Sequence, residues 1–289
     1  MVGYFNMKYD YIDTHAHLNL SAFDKDREEV IARTKEAGLG VFNVGTKEST
    51  SKKAVEISEA NDNCYAIVGL HPIQTTQGEH DEEELGKGGH PFVSKGEVFN
   101  TELYRELAQS KKVIGIGECG FDYFHNELDS YAVQEEAFIA QIELANQLQL
   151  PLMIHTRNPQ PRKESPTGRS VYEDVYEVLK HYAKVPFNVH FYAGTLQEAQ
   201  HFFELGGTIS FTGVVTFAKD YEEIIKNVPL ELMHAETDCP FVSPVPYRGK
   251  RCEPQYVIEV YKKIAQIRGE DEEKVRVQLL QNVQNQYQI

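Results

Sequence analysis

Two histidines one residue apart, His15 and His17, close the run Tyr11-Ile-Asp-Thr-His-Ala-His-Leu18 where an apolar strand breaks into a loop. In an extended segment alternate side chains share a face, so both imidazoles can reach one point beyond the strand end and hold one metal ion. The same spacing also suits two hydrogen-bonded surface histidines, so the pair has to be weighed with the rest of the chain. Groups of the same chemical kind follow other short apolar runs: His71, Glu118, His155, His190 and Asp238. Five imidazoles and two carboxylates exceed what one tetrahedral ion takes, which makes a pair of divalent ions the economical arrangement and a bridging carboxylate an expected part of it. Glu118 is placed for that bridge. The mixed donor set suits zinc, manganese, iron or magnesium without choosing among them. Two ions about 3.5–4 Å apart lower the pKa of a shared water and stabilise entering and leaving oxygens at phosphorus or carbonyl carbon. The implied reaction is hydrolysis, with Asp238 accepting the proton of the water.

These residues need a scaffold that brings them to one place. Short β-branched runs near 9–14, 39–45, 64–70, 113–117, 151–155, 186–190, 207–211 and 231–236 read as strands. Segments of helical period lie between them, near 26–38, 48–61, 101–110, 131–149, 171–183, 196–205 and 219–227. Eight such units predict an α/β fold, a (β/α)8 TIM barrel with the metal site at the C-terminal ends of the strands. An open doubly wound sheet would give the same local pattern, but no GxGxxG follows the first strand. The candidate residues fall at six of the eight strand ends, and in a barrel those ends converge on one mouth. His80, His181 and His201 fall elsewhere. The expectation is one domain over 1–289, with the barrel at about 9–240 and two further helices near 254–267 and 271–286 packed on its exterior. Segments 76–100, with the acidic run Asp81-Glu-Glu-Glu84, and 157–170, rich in Arg, Lys, Pro and Ser, read as insertions.

A chain of 289 residues with 41% apolar and 25% charged residues can bury a large core. It has no run of 18 apolar residues, and its first residues lack a hydrophobic signal core, so a cytoplasmic location without membrane contact is expected. Cys64, Cys119, Cys239 and Cys252 show no C-x-x-C spacing and read as reduced core residues. The formal charge of -15 argues against a general nucleic-acid coat protein, while leaving room for a local basic site. No segment points to an obligate protein partner.

The landmarks Asp13-Thr-His-Ala-His-Leu18, Gly69-Leu-His-Pro72, Gly115-Ile-Gly-Glu-Cys-Gly-Phe-Asp-Tyr123, Met153-Ile-His-Thr-Arg157, His190-Phe-Tyr-Ala-Gly194, Glu236-Thr-Asp-Cys-Pro-Phe241 and Pro244-Val-Pro-Tyr-Arg-Gly-Lys-Arg-Cys-Glu-Pro254 stand in order along the chain. Together they resemble the TatD-type metal-dependent deoxyribonuclease family of the amidohydrolase superfamily, from about Tyr11 to the C-terminus. The resemblance implies that His15, His17 and Asp238 hold one ion, that His155 and His190 hold the second, and that Glu118 bridges them, with Glu118 and Asp238 as the catalytic carboxylates. It implies two divalent ions, magnesium, manganese or zinc, and DNA as the substrate, trimmed from the 3′ ends of single strands. His71 and Arg157 would lie near the substrate phosphate, and Arg248, Lys250 and Arg251 would face the nucleic-acid backbone. A solvated basic turn is the competing reading of those last three. The chain departs from the family where His190-Phe-Tyr-Ala-Gly replaces His-Cys-Phe-Ser/Thr-Gly, where Tyr247 stands for a common His, and in the longer segments 76–100 and 157–170. None of these removes a ligand; they bear on substrate preference. Competing functions are ester or amide cleavage, such as that of a D-aminoacyl-tRNA deacylase, and a non-catalytic metal- or partner-binding barrel.

Overall fold

The computed structural model describes residues 8–80, 92–125, 130–159 and 165–289. Its strands are β1 Tyr11–Ala16, β2 Leu39–Val44, β3 Cys64–Val68, β4 Gln77–His80, β5 Phe92–Lys95, β6 Val113–Asp122, β7 Leu152–Arg157, β8 Phe187–Val189, β9 Thr208–Phe211 and β10 Met233–Ala235. Eight of them pair in parallel in the order β1-β2-β3-β6-β7-β8-β9-β10. The ring closes where Ala16 bridges Cys239: His17 donates its amide to the Cys239 carbonyl, and Asp238 donates its amide to the His15 carbonyl, both at 2.8 Å. All eight expected strands are present. The main difference is β6, which runs on to Asp122, so Glu118 lies inside that strand rather than after it.

Crossover helices cover the barrel because their apolar residues recur at helical period. In Val171–Tyr182 the buried residues Val171, Tyr172, Val175, Val178 and Leu179 form one stripe, and Ser170 and Glu173 close a reciprocal capping box at its start. Burying each such valine or leucine contributes about 1.5–3 kcal/mol relative to leaving it exposed. These stripes join the outward faces of the strands in a large apolar layer, and the four cysteines are buried and free.

The last two helices are Val257–Arg268 and Glu272–Tyr287. The final helix reaches the N-terminal end of the barrel. Its Asn282 donates to the Leu230 and Met233 carbonyls and its Arg276 to the Asp10 carbonyl. Its Leu280, Val283 and Tyr287 pack with Ile12, Phe42, Val44, Tyr65, Ile67, Ile114 and Met153, so the bottom of the barrel is plugged with apolar side chains. Within 76–100, β4 and β5 pair antiparallel, which the sequence did not lead one to expect, while Asp81–Glu84 falls outside the described residues. In the other insertion, Arg169 pairs with the buried Asp174 at 2.7 Å.

Candidate metal centre

At the opposite end, the strands bring ligand-type side chains together. His15 lies in β1 and His17 one residue beyond it; Asp238 follows β10. The closure of the ring at Ala16 and Cys239 therefore sets these three side by side, with His17 Nε2 3.3 Å and His15 Nε2 3.8 Å from Asp238 Oδ1. Val44 at the end of β2 accepts a hydrogen bond from His17 Nδ1 at 2.9 Å. That fixes the tautomer and leaves the Nε2 lone pair facing His15 Nε2 at 3.1 Å.

Glu118 sits at the centre because β6 breaks register with β7 between Ile116 and Cys119. Gly117, at φ 148°, occupies backbone space that a side chain would not tolerate, since a Cβ there would overlap the Met153 carbonyl oxygen. The carboxylate is buried and divided between two groups of histidines. Oε2 faces His15 at 3.3 Å and His17 at 3.8 Å. Oε1 faces His190 at 2.6 Å, His155 at 2.7 Å and His71 at 3.3 Å. Burial alone would raise this carboxyl; the histidines around it, His190 foremost, outweigh it and hold Glu118 well below the usual carboxylate range.

Three further carboxylates hold the ligand-type groups and were not singled out from sequence. Asp122 accepts the Phe124 and His125 amides at 2.9 Å and faces His155 Nε2 at 3.0 Å. With a proton on that nitrogen, His155 Nδ1 presents its lone pair to Glu118. Glu236 accepts the Phe191 amide at 2.6 Å and the Ser210 hydroxyl at 2.7 Å, and lies 3.5 Å from His190 Nδ1. Asp13 accepts the Thr237 amide and hydroxyl at 2.8 and 2.6 Å, tying β1 to the segment after β10. A signal for one of them was available: Asp13 stands two residues before His15 on the same face of β1, whereas Glu236 lies past the end of β10 and Asp238 turns with φ 57°, so their spacing encodes no shared face. Asp122 gave no such signal, because it stands at the end of a strand that the sequence expectation stops at 117.

His71 is different. Its Nδ1 accepts the Ile73 amide at 3.1 Å, so the neutral ring carries its proton on Nε2, toward Glu118. Burial, reinforced by the charge of His155, pushes its pKa down to about 4, and it stays a neutral donor. The remaining candidates stand at the rim. Arg157 is exposed at the end of β7, its guanidinium 4.2 Å from the Phe124 ring centre. Arg248 and Lys250 are exposed in the loop after β10. Arg251 is not available in the way expected: its guanidinium is clamped on Asp26 at 2.8 and 2.6 Å and on the Ala22 carbonyl at 2.7 Å, so it fastens the loop to the barrel.

The donor set fits a divalent cation. Three sets of ligand atoms each gather within 4.8 Å: His15, His17 and Asp238; His15, Glu118 and His190; His71, Glu118 and His155. The lone pairs of His17 and His155 point at carboxylate oxygens or another imidazole, an arrangement that is repulsive until a proton or a cation lies between them.

Comparison with known proteins agrees in kind. Residues 12–288 match the family described as TatD related DNase. The chain is 34% identical over 282 residues to the uncharacterized metal-dependent hydrolase YabD of Bacillus subtilis, covering 96% of this chain and 98% of that one. It is 31% identical over 281 residues to the 3′-5′ ssDNA/RNA exonuclease TatD of Pantoea ananatis, covering 93% and 96%. Among solved structures it superposes on YJJV, a TatD homologue from Escherichia coli, with a TM-score of 0.78 at 23% identity over 98% of this chain and 100% of that one. No helix of the described residues is long and apolar enough to cross a membrane.

Proposed function

The chain belongs to the TatD-related DNase family and is a metal-dependent hydrolase; from that premise we propose that it removes nucleotides from the 3′ ends of single-stranded DNA at a two-ion centre. The observation that carries this reading is the division of Glu118, whose two oxygens face two separate groups of imidazoles. One ion would be held by His15, His17 and Asp238, the other by His155 and His190, and Glu118 would serve both. The imidazole-rich set favours zinc or manganese over magnesium. Bound ions would supply Lewis acidity, making a water nucleophilic at neutral pH and offsetting charge on the phosphodiester oxygens.

The chain's own groups do the rest. Asp238 accepts the proton of the attacking water. Its side chain is 12% exposed against 3% for Glu118, so of the two carboxylates it is the one that solvent reaches. His71 donates Nε2–H to a phosphate oxygen, a role its bond from Ile73 fits better than ligation. Arg157, Arg248 and Lys250 offer cations to the backbone, and Arg251 holds the loop that carries Arg248 and Lys250 in place.

The test is reconstitution of metal-stripped protein with zinc, manganese or magnesium, assayed on 3′-labelled and 5′-labelled single strands, an RNA of the same sequence, and an aminoacyl ester. Stepwise release from the 3′ end, restored by about two equivalents of one metal, is the expected result. Ester turnover without strand cleavage would overturn the nuclease reading.

A further inference from the structure

Phe217 is 42% exposed, whereas Phe202 and Phe211 beside it in the chain are buried. It follows the turn Gly213–Thr216 after β9, on the same face of the barrel as the ligand-type histidines. The Arg248 guanidinium lies over its ring, 4.0 Å from the centre, and is held there by donating to the Ser243 carbonyl at 2.9 Å. Thr216 accepts the Val245 amide at 2.9 Å and joins this turn to the loop after β10, so ring and guanidinium belong to one rigid rim. Both flat groups remain exposed. A stacked guanidinium and aromatic ring offers a π-face to a base and a charge to the adjacent phosphate; a single strand presents both, whereas a duplex presents its phosphates but keeps its base faces stacked. We propose that the Phe217–Arg248 stack is a platform for an unpaired base of the substrate strand, which makes the mouth selective for single-stranded nucleic acid. This rests on the nuclease reading above. It adds a base-recognition site to a centre whose other candidate contacts are all to phosphate. A matching arginine on phenylalanine, Arg157 on Phe124, marks the rim at the ends of β6 and β7.

The experiment uses metal-free full-length protein, so that strands bind without turnover. A short single-stranded DNA carries 2-aminopurine at successive positions from its 3′ end, and a second strand of equal length carries abasic residues there. The unsubstituted protein is expected to quench 2-aminopurine at one or two adjacent positions and to bind the base-bearing strand about tenfold more tightly than the abasic one. Phe217→Ala and Phe217→Leu should abolish the quench and bring that ratio close to one, while Phe217→Tyr retains both. An unchanged ratio in Phe217→Ala, with strand binding intact in the parent protein, overturns the platform alone. Failure of the parent protein both to bind the strand when metal-free and to cleave it once metal is restored overturns the nuclease reading and the platform with it. Thermal melts of each variant separate a lost contact from a lost fold.

Discussion

The two ends of the barrel both bury histidine, under opposite electrostatics. At the mouth His190 lies between Glu118 and Glu236, and although burial opposes charge, those carboxylates hold its pKa well above the ordinary value. At the bottom His234 is as deeply buried, but its ring bonds the amide oxygen of Gln286 at 3.0 Å. There burial dominates, only partly opposed by the Gln286 bond and the charge of Glu236, and its pKa falls to about 4. Residue type and burial are the same; what faces the ring differs. Imidazole set against carboxylates makes a place for cations, whereas imidazole set against an amide is a neutral packing element.

Four measurements would break or sharpen this contrast. The largest effect is expected from Glu118→Gln, which keeps the shape and removes the charge dividing the mouth. Metal content should fall below that of the parent protein, and strand cleavage should drop at least about a hundredfold, since a Lewis acid supplies several kcal/mol. Retained activity would mean that the centre lies elsewhere.

Next comes the acid response of the bottom. His234 in the folded protein resists protonation down to about pH 4, while in the unfolded chain it takes a proton near 6.5. Between those values the unfolded state binds more protons, so stability is lost as pH falls through that window, by about 3 kcal/mol in full. Denaturant titrations of metal-free protein at pH 7 and pH 4 should show this loss in the parent and a smaller one in His234→Gln. The metal affinity of His234→Gln should stay within about twofold; a larger change would mean that the two ends are coupled.

Asp122→Asn tests whether the orientation of a ligand matters apart from its identity. It keeps the bonds from the Phe124 and His125 amides but weakens the hold on His155 Nε2, and metal affinity measured by competition with a chelator should fall about 10–100-fold. The smallest effect separates neighbours in the loop after β10. Lys250→Ala should weaken strand binding at all sequences and lessen the salt slope by about 0.7. Arg251→Ala should instead lower the melting temperature, because that side chain is committed to Asp26. If Arg251→Ala lowers the salt slope without moving the melting temperature, the clamp assignment is wrong.

How much of this was legible follows from what each feature depends on. The eight barrel strands were readable because each is a local apolar run, and the ligand-type residues because they stand at or near the ends of those runs. The extension of β6 to Asp122 was hidden by Gly117 and Gly120, which read as a strand end in sequence, whereas Gly117, at positive φ, falls where the strand shifts register and continues. Arg251 read as a free cation because its partner, Asp26, is 225 positions away. The final helix was visible as a helix, but its seat under the barrel depends on side chains from strands throughout the chain.

By itself the sequence determined the number and order of the βα units and the chemical kind of the groups at the mouth, since both follow from periodicity and residue type within a few positions. The tertiary structure alone decided which imidazole faces which oxygen: that Glu118 divides its two oxygens, that His71 is a donor, that Asp122, Glu236 and Asp13 stand behind the candidate ligands, and that Phe217 lies under Arg248. Apart from the local bond of Ile73 to His71, those relations join residues 31 to 224 positions apart. They depend on closure of the ring and the register of its strands, which no local pattern encodes.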